Sequence, residues 1–270
     1  MNDKKIILLK FGGSIITNDD QFESFKKETV INLMKQISKL SDDFQFIIVH
    51  GAGSFGHYHA KKYNLKQGFK EKGQLLGLVE THQSMLKLNS FLLDTIQEIG
   101  GIYPVSFSPI NIVKTRDGSI ISFDLENIKE TLDLGLTPIL FGDVVFDESL
   151  RFTILSGDKI VPYLAEKLTP IKIIMLTDVT GVYDDNPKKK PEAKLLAEIN
   201  LNDTALLQKI SANASSGKTR VTGEMEKKLL ELKEVVKEGI ETWIISGLED
   251  QSLYNKLAHS DNKGTKLVFK

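Results

Sequence analysis

The chain is 270 residues long and 41% hydrophobic, enough for one large α/β domain or two lobes sharing a sheet, and outside the compositions that stay disordered. Its 35 Lys and Arg against 36 Asp and Glu give a net charge of -1, which removes the basic footprint of a dedicated nucleic-acid binder. With no cysteine there is no disulfide, thiolate zinc site or cysteine nucleophile, and no run nears the ~18 apolar residues of a spanning helix. The expectation is a soluble, cytoplasmic protein that engages neither nucleic acid nor membrane.

Residues 4–11 form an apolar run closed by Gly12 and Gly13, the pattern of a strand buried on both faces and ended by a glycine turn. Helical spacing over 23–40 leads to a second strand, 44–50, which runs into Gly51-Ala52-Gly53-Ser54-Phe55-Gly56. Residues 72–99 read as one long helix ended by Gly100-Gly101. Short β runs follow at 103–107 and on both sides of Asp117-Gly118, a hairpin signal, then a helix near 125–134 and strands near 137–141 and 152–155. Ser156-Gly157-Asp158 opens a helix that Pro170 stops, and 172–177 is another buried strand. A loop at 184–191, helices near 201–211 and 222–238, and strands at 242–246 and 266–269 complete the chain. This alternation predicts an open, mostly parallel sheet covered on both sides. A boundary near 168–171 divides it into lobes 1–169 and 170–270 that share the sheet.

Two glycine turns end two strands, and ligands of open α/β sheets bind at that carboxyl edge. Glycines let the backbone approach an anion, and the free N–H groups of a helix start point at it. Taken alone, 51–56 also fits the dinucleotide turn of an oxidoreductase, but it follows the second strand and leaves the Gly12 turn unexplained. His57, just past the turn, is placed to donate to a phosphate oxygen, whereas His50 is expected to pack and His59 to point elsewhere. Lys10 ends the first strand beside Gly12-Gly13-Ser14, so the two turns suit a two-phosphate cleft. Ser215 to Thr219 imitates the tail of a Walker loop, but Ala212 replaces its first glycine and no strand precedes it. Thr222-Gly223 starts a helix carrying Lys228, which on spacing alone fits a solvated face.

Together, Lys10-Phe11-Gly12-Gly13-Ser14, His50 to His57, Ile154 to Asp158, Leu176 to Tyr183 with Asn186-Pro187-Lys188, and Thr222-Gly223-Glu224-Met225 with Lys228 resemble the amino acid kinase superfamily. The turn Gly53 to His57 and the run Thr81 to Met85, with Leu88-Asn89 and Ser108-Pro109, are most similar to its isopentenyl phosphate kinases. The fosfomycin-phosphorylating kinases share the histidine turn. The resemblance implies an open αβα sandwich, a homodimer, a small phosphate acceptor in the N-terminal lobe and ATP with Mg²⁺ in the C-terminal lobe. It implies that Lys10 and Lys228 contact the transferring group, that Asp158 orients them, and that Gly12, Gly13 and Ser14 lie at the ATP phosphates. Thr177, Asp178, Gly181, Val182, Tyr183 and Pro187 would shape the nucleoside pocket, with Gly223 and Met225 also on the ATP side. Ala52, Gly53, Ser54, Gly56 and His57, with Ser156 and Gly157, would hold the acceptor. Val79, His82, Gln83 and Leu86 share one helical face, expected either to close the acceptor's apolar end or to pack in the core. No protein metal ligand is expected.

Three departures stand out. A second lysine five residues beyond the serine is replaced by Asp19, with Lys26 and Lys27 the nearest cations; an aspartate before Thr222 is replaced by Arg220; and Glu224 stands where the family has a second glycine. They leave room for a degenerate kinase fold acting as a ligand sensor.

Overall fold

The computed structural model describes residues 4–185, 187, 190–215 and 223–270, and only the backbone of 211–215, 223, 224 and 226. Its strands are β1 (Lys5–Phe11), β2 (Phe44–His50), β3 (Pro104–Phe107), β4 (Val113–Arg116), β5 (Ser119–Phe123), β6 (Thr137–Phe141), β7 (Asp143–Asp147), β8 (Arg151–Leu155), β9 (Lys172–Thr177), β10 (Glu198–Asn200), β11 (Glu241–Ser246) and β12 (Thr265–Val268). Its α-helices are α1 (Gly13–Ile16), α2 (Lys27–Ser38), α3 (Gly53–Lys62), α4 (Gly73–Ile99), α5 (Pro109–Ile112), α6 (Glu126–Asp133), α7 (Gly157–Leu168), α8 (Thr204–Ser215), α9 (Gly223–Glu231), α10 (Lys233–Lys237) and α11 (Ser252–Ala258).

The main sheet has the order β10-β12-β11-β9-β1-β2-β6-β3, parallel except that β10 and β12 run against the rest. Because side chains alternate across a strand, each central strand feeds two cores. Leu8, Ile47, Val49, Ile173 and Met175 face a core closed by α7 and α9 through Ile160, Leu164 and Leu229. Ile7, Leu9, Phe46, Ile48, Ile174 and Leu176 face another closed by α2, α4 and α11 through Leu33, Met85, Leu88 and Leu253. The result is the expected open αβα sandwich, with β1 pairing β2 on one side and β9 on the other, so the sheet is continuous across residues 168–171.

A second sheet, β5-β4-β7-β8, corrects the expectation of a single one. The expected strand at 137–141 is β6, and the sequence reading omits the strand that follows it, β7, which Gly142 separates from β6 and which belongs to the other sheet. The long helix α4 matches its sequence pattern and packs Gly77, Thr81, Met85, Leu88 and Leu92 inward. A Cβ on Gly77 would lie 2.3 Å from the Tyr63 ring, so α4 can approach that residue only at a glycine. Val79 and Leu86 are 46% and 42% exposed, which removes core packing as the role of that face.

One carboxylate ties the second sheet together. Asp147, at the end of β7, accepts the Thr115 hydroxyl at 2.7 Å and the backbone N–H groups of Asp117, Gly118, Ser149 and Leu150, so it pins both hairpin ends. Burial pushes this carboxyl up, but the hydrogen bonds outweigh burial and bring it from 3.8 down to about 2. A depressed pKa of this kind stabilises the fold above its unfolded value, and the contribution is lost as pH falls through the folded one. Asp147→Asn is therefore expected to cost about 1–3 kcal/mol at pH 7 by urea unfolding. The gap to the natural protein should narrow as pH falls from 3.8 to about 2. A gap that persists at pH 2 would assign the loss to shape rather than charge.

Candidate active site

Backbone hydrogen bonding continues past the carboxyl ends of the parallel strands. Gly12 N–H donates to Leu176, Gly51 N–H to Phe11, Gly142 N–H to His50 and Gly247 N–H to Thr177, at 2.7–3.1 Å. These bonds press the turns after β1 and β2 against each other. A Cβ on Gly13 would lie 2.6 Å from the Gly53 nitrogen, and one on Gly51 would lie 2.8 Å from the Gly13 nitrogen. Gly53, at φ +47, would place a Cβ 1.9 Å from Thr17 Oγ1, the atom that accepts the Ser54 N–H.

Into this junction runs the side chain of Lys10, which is 4% exposed. Its stem passes where other residues would carry a Cβ: a Cβ on Gly157 would lie 2.7 Å from Lys10 Cε, and one on Gly51 3.4 Å from Nζ. The ammonium ends 3.2 Å from Asp158 Oδ1 in the first turn of α7. Burial pushes the Asp158 carboxyl up, yet the charges of Lys10 and Lys228, the hydrogen bond from Lys10 and the charge of His57 hold it below the usual carboxylate range. Lys10, Lys228, His57 and Asp158, dispersed through the sequence, thus share one electrostatic centre.

Ala52 and Gly53 open α3, and among the described residues nothing accepts their N–H groups. Among the described residues Ser54 Oγ is buried without a partner, and His57 lies exposed one turn further on. Gly56 packs on α4, where a Cβ would lie 2.8 Å from Met85 Sδ. Ser156 and Gly157 start α7 on the far side of Lys10. Of the α4 face, His82 donates from Nδ1 to Asp143 Oδ2 at 2.7 Å, and this bond to an enclosed carboxylate raises the imidazole above its ordinary value. Val79, Gln83 and Leu86 point outward. Sequence reasoning missed Asp143; its signal was its place immediately after Gly142, at the carboxyl edge of β6.

On the opposite side, Thr177 ends β9 and donates its hydroxyl to Val179 C=O at 2.9 Å. Val182 N–H donates to Thr265 Oγ1 at 2.8 Å, Gly181 approaches the same hydroxyl, Tyr183 bridges to Leu195, and Thr180 donates to Glu249 at 2.7 Å. Asp178 and Pro187 lie on the loop between these contacts. The side chains of Val182 and Met225 are buried in the core on the α7 side. Asp19 is exposed, while Lys26 donates from Nζ to the Ser14 carbonyl at 2.8 Å and so brings a cation to the Gly12-Gly13-Ser14 turn. Asn186, Lys188, Arg220 and Thr222 lie outside the described residues, and Gly223 and Glu224 are described in backbone only. Among the described residues no group of three or more histidines and carboxylates is placed to hold a metal ion, and no helix is long and apolar enough to cross a membrane.

The amino acid kinase family matches residues 5–246. The chain is 33% identical to the isopentenyl phosphate kinase of Methanothermobacter thermautotrophicus over 98% of its own length and all of that protein. It is 35% identical to that of Arabidopsis thaliana over 79% of this chain and 68% of the plant protein. A solved isopentenyl phosphate kinase superposes with a TM-score of 0.83 at 30% identity, covering 97% of this chain and 100% of that one.

The glycine contacts set an order of damage. Gly13→Ala would drive its methyl 2.6 Å from backbone, whereas Gly157→Ala meets first the Lys10 Cε at 2.7 Å, a side-chain atom that can shift by a few tenths of an ångström within its pairing with Asp158. Overpacking costs about 1–3 kcal/mol, and Gly13→Ala is expected to lie at or above that range. Thermal melts reversing the order would show that the turns, not the lysine, give way.

Proposed function

We propose, for a chain that belongs to the amino acid kinase family, that it transfers the γ-phosphoryl group of ATP to the phosphate of isopentenyl phosphate, giving isopentenyl diphosphate and ADP. The observation that carries this reading is the shared field of Lys10, Lys228, His57 and Asp158 between two opposed glycine turns. A phosphate monoester has a second pKa of about 6, so the acceptor oxygen is already ionised at neutral pH and needs no strong base. That oxygen forms the new bond to the γ-phosphorus as the bond to the bridging oxygen breaks and its electron pair leaves with ADP. What the protein must supply is alignment and neutralisation of two anions.

Each group then has a defined task. The open N–H groups of Ala52 and Gly53, the Ser54 hydroxyl and His57 hold the acceptor phosphate. Lys10 and Lys228 meet the charge that develops on the group in flight, and Asp158 keeps Lys10 in place without needing to take a proton. Lys26, fixed at Ser14, contributes the charge that position 19 lacks. No side chain is assigned to magnesium, which would come with ATP and neutralise part of its phosphate charge. A homodimer belongs to this reading, with Leu75 and Leu76, 49% and 56% exposed at the start of α4, as apolar surface for it to cover.

Lys10→Ala and Lys228→Ala are expected to lower kcat by about 10²-fold or more with smaller effects on either KM, the scale of one preorganised electrostatic contact. The assay is coupled ADP release with isopentenyl phosphate, with fosfomycin and with no acceptor. Near-normal turnover in either folded variant removes that residue from the site, and turnover with fosfomycin alone replaces the acceptor.

The α4 face governs the acceptor's tail. Since Leu86 is 42% exposed, Leu86→Ala should leave stability within about 0.5 kcal/mol, as surface changes do. It should raise kcat/KM for ten- and fifteen-carbon prenyl phosphates relative to the five-carbon one. An unchanged ratio would detach α4 from the acceptor site.

A further inference from the structure

His50, the last residue of β2, has no task in the transfer, yet it is fully buried beneath the acceptor turn and stacked on Phe141, with ring centroids 5.3 Å apart. Its Nδ1 lies 3.0 Å from the carbonyl oxygen of Gly51, and its Nε2 lies 3.4 Å from the Oδ1 of Asn89, a side chain itself 4% exposed. As placed, the Nδ2 of that amide donates to Ser106 Oγ at 2.8 Å.

A carbonyl oxygen only accepts, so the contact to Gly51 is favourable only with a proton on Nδ1. A second proton on Nε2 would make an imidazolium in a site that offers it no carboxylate and lies within the field of Lys10. Burial, helped by that field, brings the imidazole down to about 4. The ring is therefore neutral and carries its one proton on Nδ1. Nε2 must then accept, which requires the NH₂ of Asn89 on the ring side and its oxygen turned to the Ser106 hydroxyl. A half-turn of the amide achieves both without moving a heavy atom appreciably.

We propose that His50 is a positioning residue for the acceptor: its Nδ1–H holds the Gly51 carbonyl down, and the next two N–H groups of the turn, Ala52 and Gly53, are thereby kept facing the phosphate. The Gly51 peptide needs such a hold because its residue has no side chain to restrict it, and must have none, with Gly13 and Lys10 Nζ packed where a Cβ would be. Asn89 and Ser106 act at one remove, fixing which ring nitrogen carries the proton. This inference rests on the acceptor site proposed above, and its test separates the two.

Long-range ¹⁵N–¹H NMR of the natural protein reads the tautomer directly, among only five histidines. The Nδ1–H form at neutral pH is expected; the Nε2–H form or an imidazolium overturns the proposal whatever the enzyme phosphorylates. His50→Asn retains an N–H near the Nδ1 position and His50→Gln retains one only near Nε2. With turnover of isopentenyl phosphate by the natural protein as the reference, His50→Gln should raise KM for the acceptor about tenfold or more, as expected for loss of one buried hydrogen bond. KM for ATP should change little, and His50→Asn should recover most of the loss. Equal acceptor KM values in two variants of like stability would reduce His50 to packing and overturn the proposal. Absence of turnover in the natural protein would instead reject the acceptor reading and leave the tautomer result standing.

Discussion

A buried ammonium held against a carboxylate constrains everything around it. Lys10 is 4% exposed, and a lysine so enclosed costs several kcal/mol unless its charge is paired. Asp158 supplies the pair at 3.2 Å, but only because the lysine stem can thread between Gly51 and Gly157. Two apolar residues of equal volume would stabilise the fold as well or better. What the pair delivers is a cation whose place is settled before any ligand arrives, the condition under which electrostatic stabilisation requires no reorganisation.

The sheet explains why that place is where anions can reach it. From β1 the sheet extends through β2, β6 and β3 on one side, and the chain then returns to β1's other flank with β9. Strand order reverses there, and the crevice outside the carboxyl ends of the strands is left open. Helices α3 and α7, at 10 and 12 residues, both begin beside Lys10 and add the positive ends of their dipoles to the lysine's charge. A net charge of -1 over the chain shows that this positive field is local, produced by placement and not by composition.

Much of this frame is legible in the sequence because central parallel strands are buried on both faces, so 4–11, 44–50 and 172–177 appear as predominantly apolar runs. The helix α4 is legible because its 27 residues sustain one periodicity. The reading fails just past Gly142, where β7 follows β6 too closely to be expected as a separate strand, and where 222–238 breaks into α9 and α10 at Leu232. It fails again at α11, where Lys256 is buried with its ammonium 3.4 Å from the Trp243 ring, so a charged letter stands at an inward position. The pairing of Lys10 with Asp158 is beyond any spacing argument, and only resemblance to a family brought those residues together.

Asp19 shows how far resemblance itself can carry. Counting along the chain, the position five residues after Ser14 faces the phosphates with an acid, which argues for a weakened site. The segment is in fact a small hairpin: Thr17 bridges Phe25, Asn18 N–H donates to Ser24 at 2.9 Å, and Lys26 N–H donates to Ile16 at 2.8 Å. Asp19 is carried to its exposed tip, whereas Lys26 returns to its root beside Ser14. Proximity to the glycine turn is set by the closure of that hairpin, not by distance in sequence. A cation therefore reaches the turn from the hairpin's second strand when the first does not provide one.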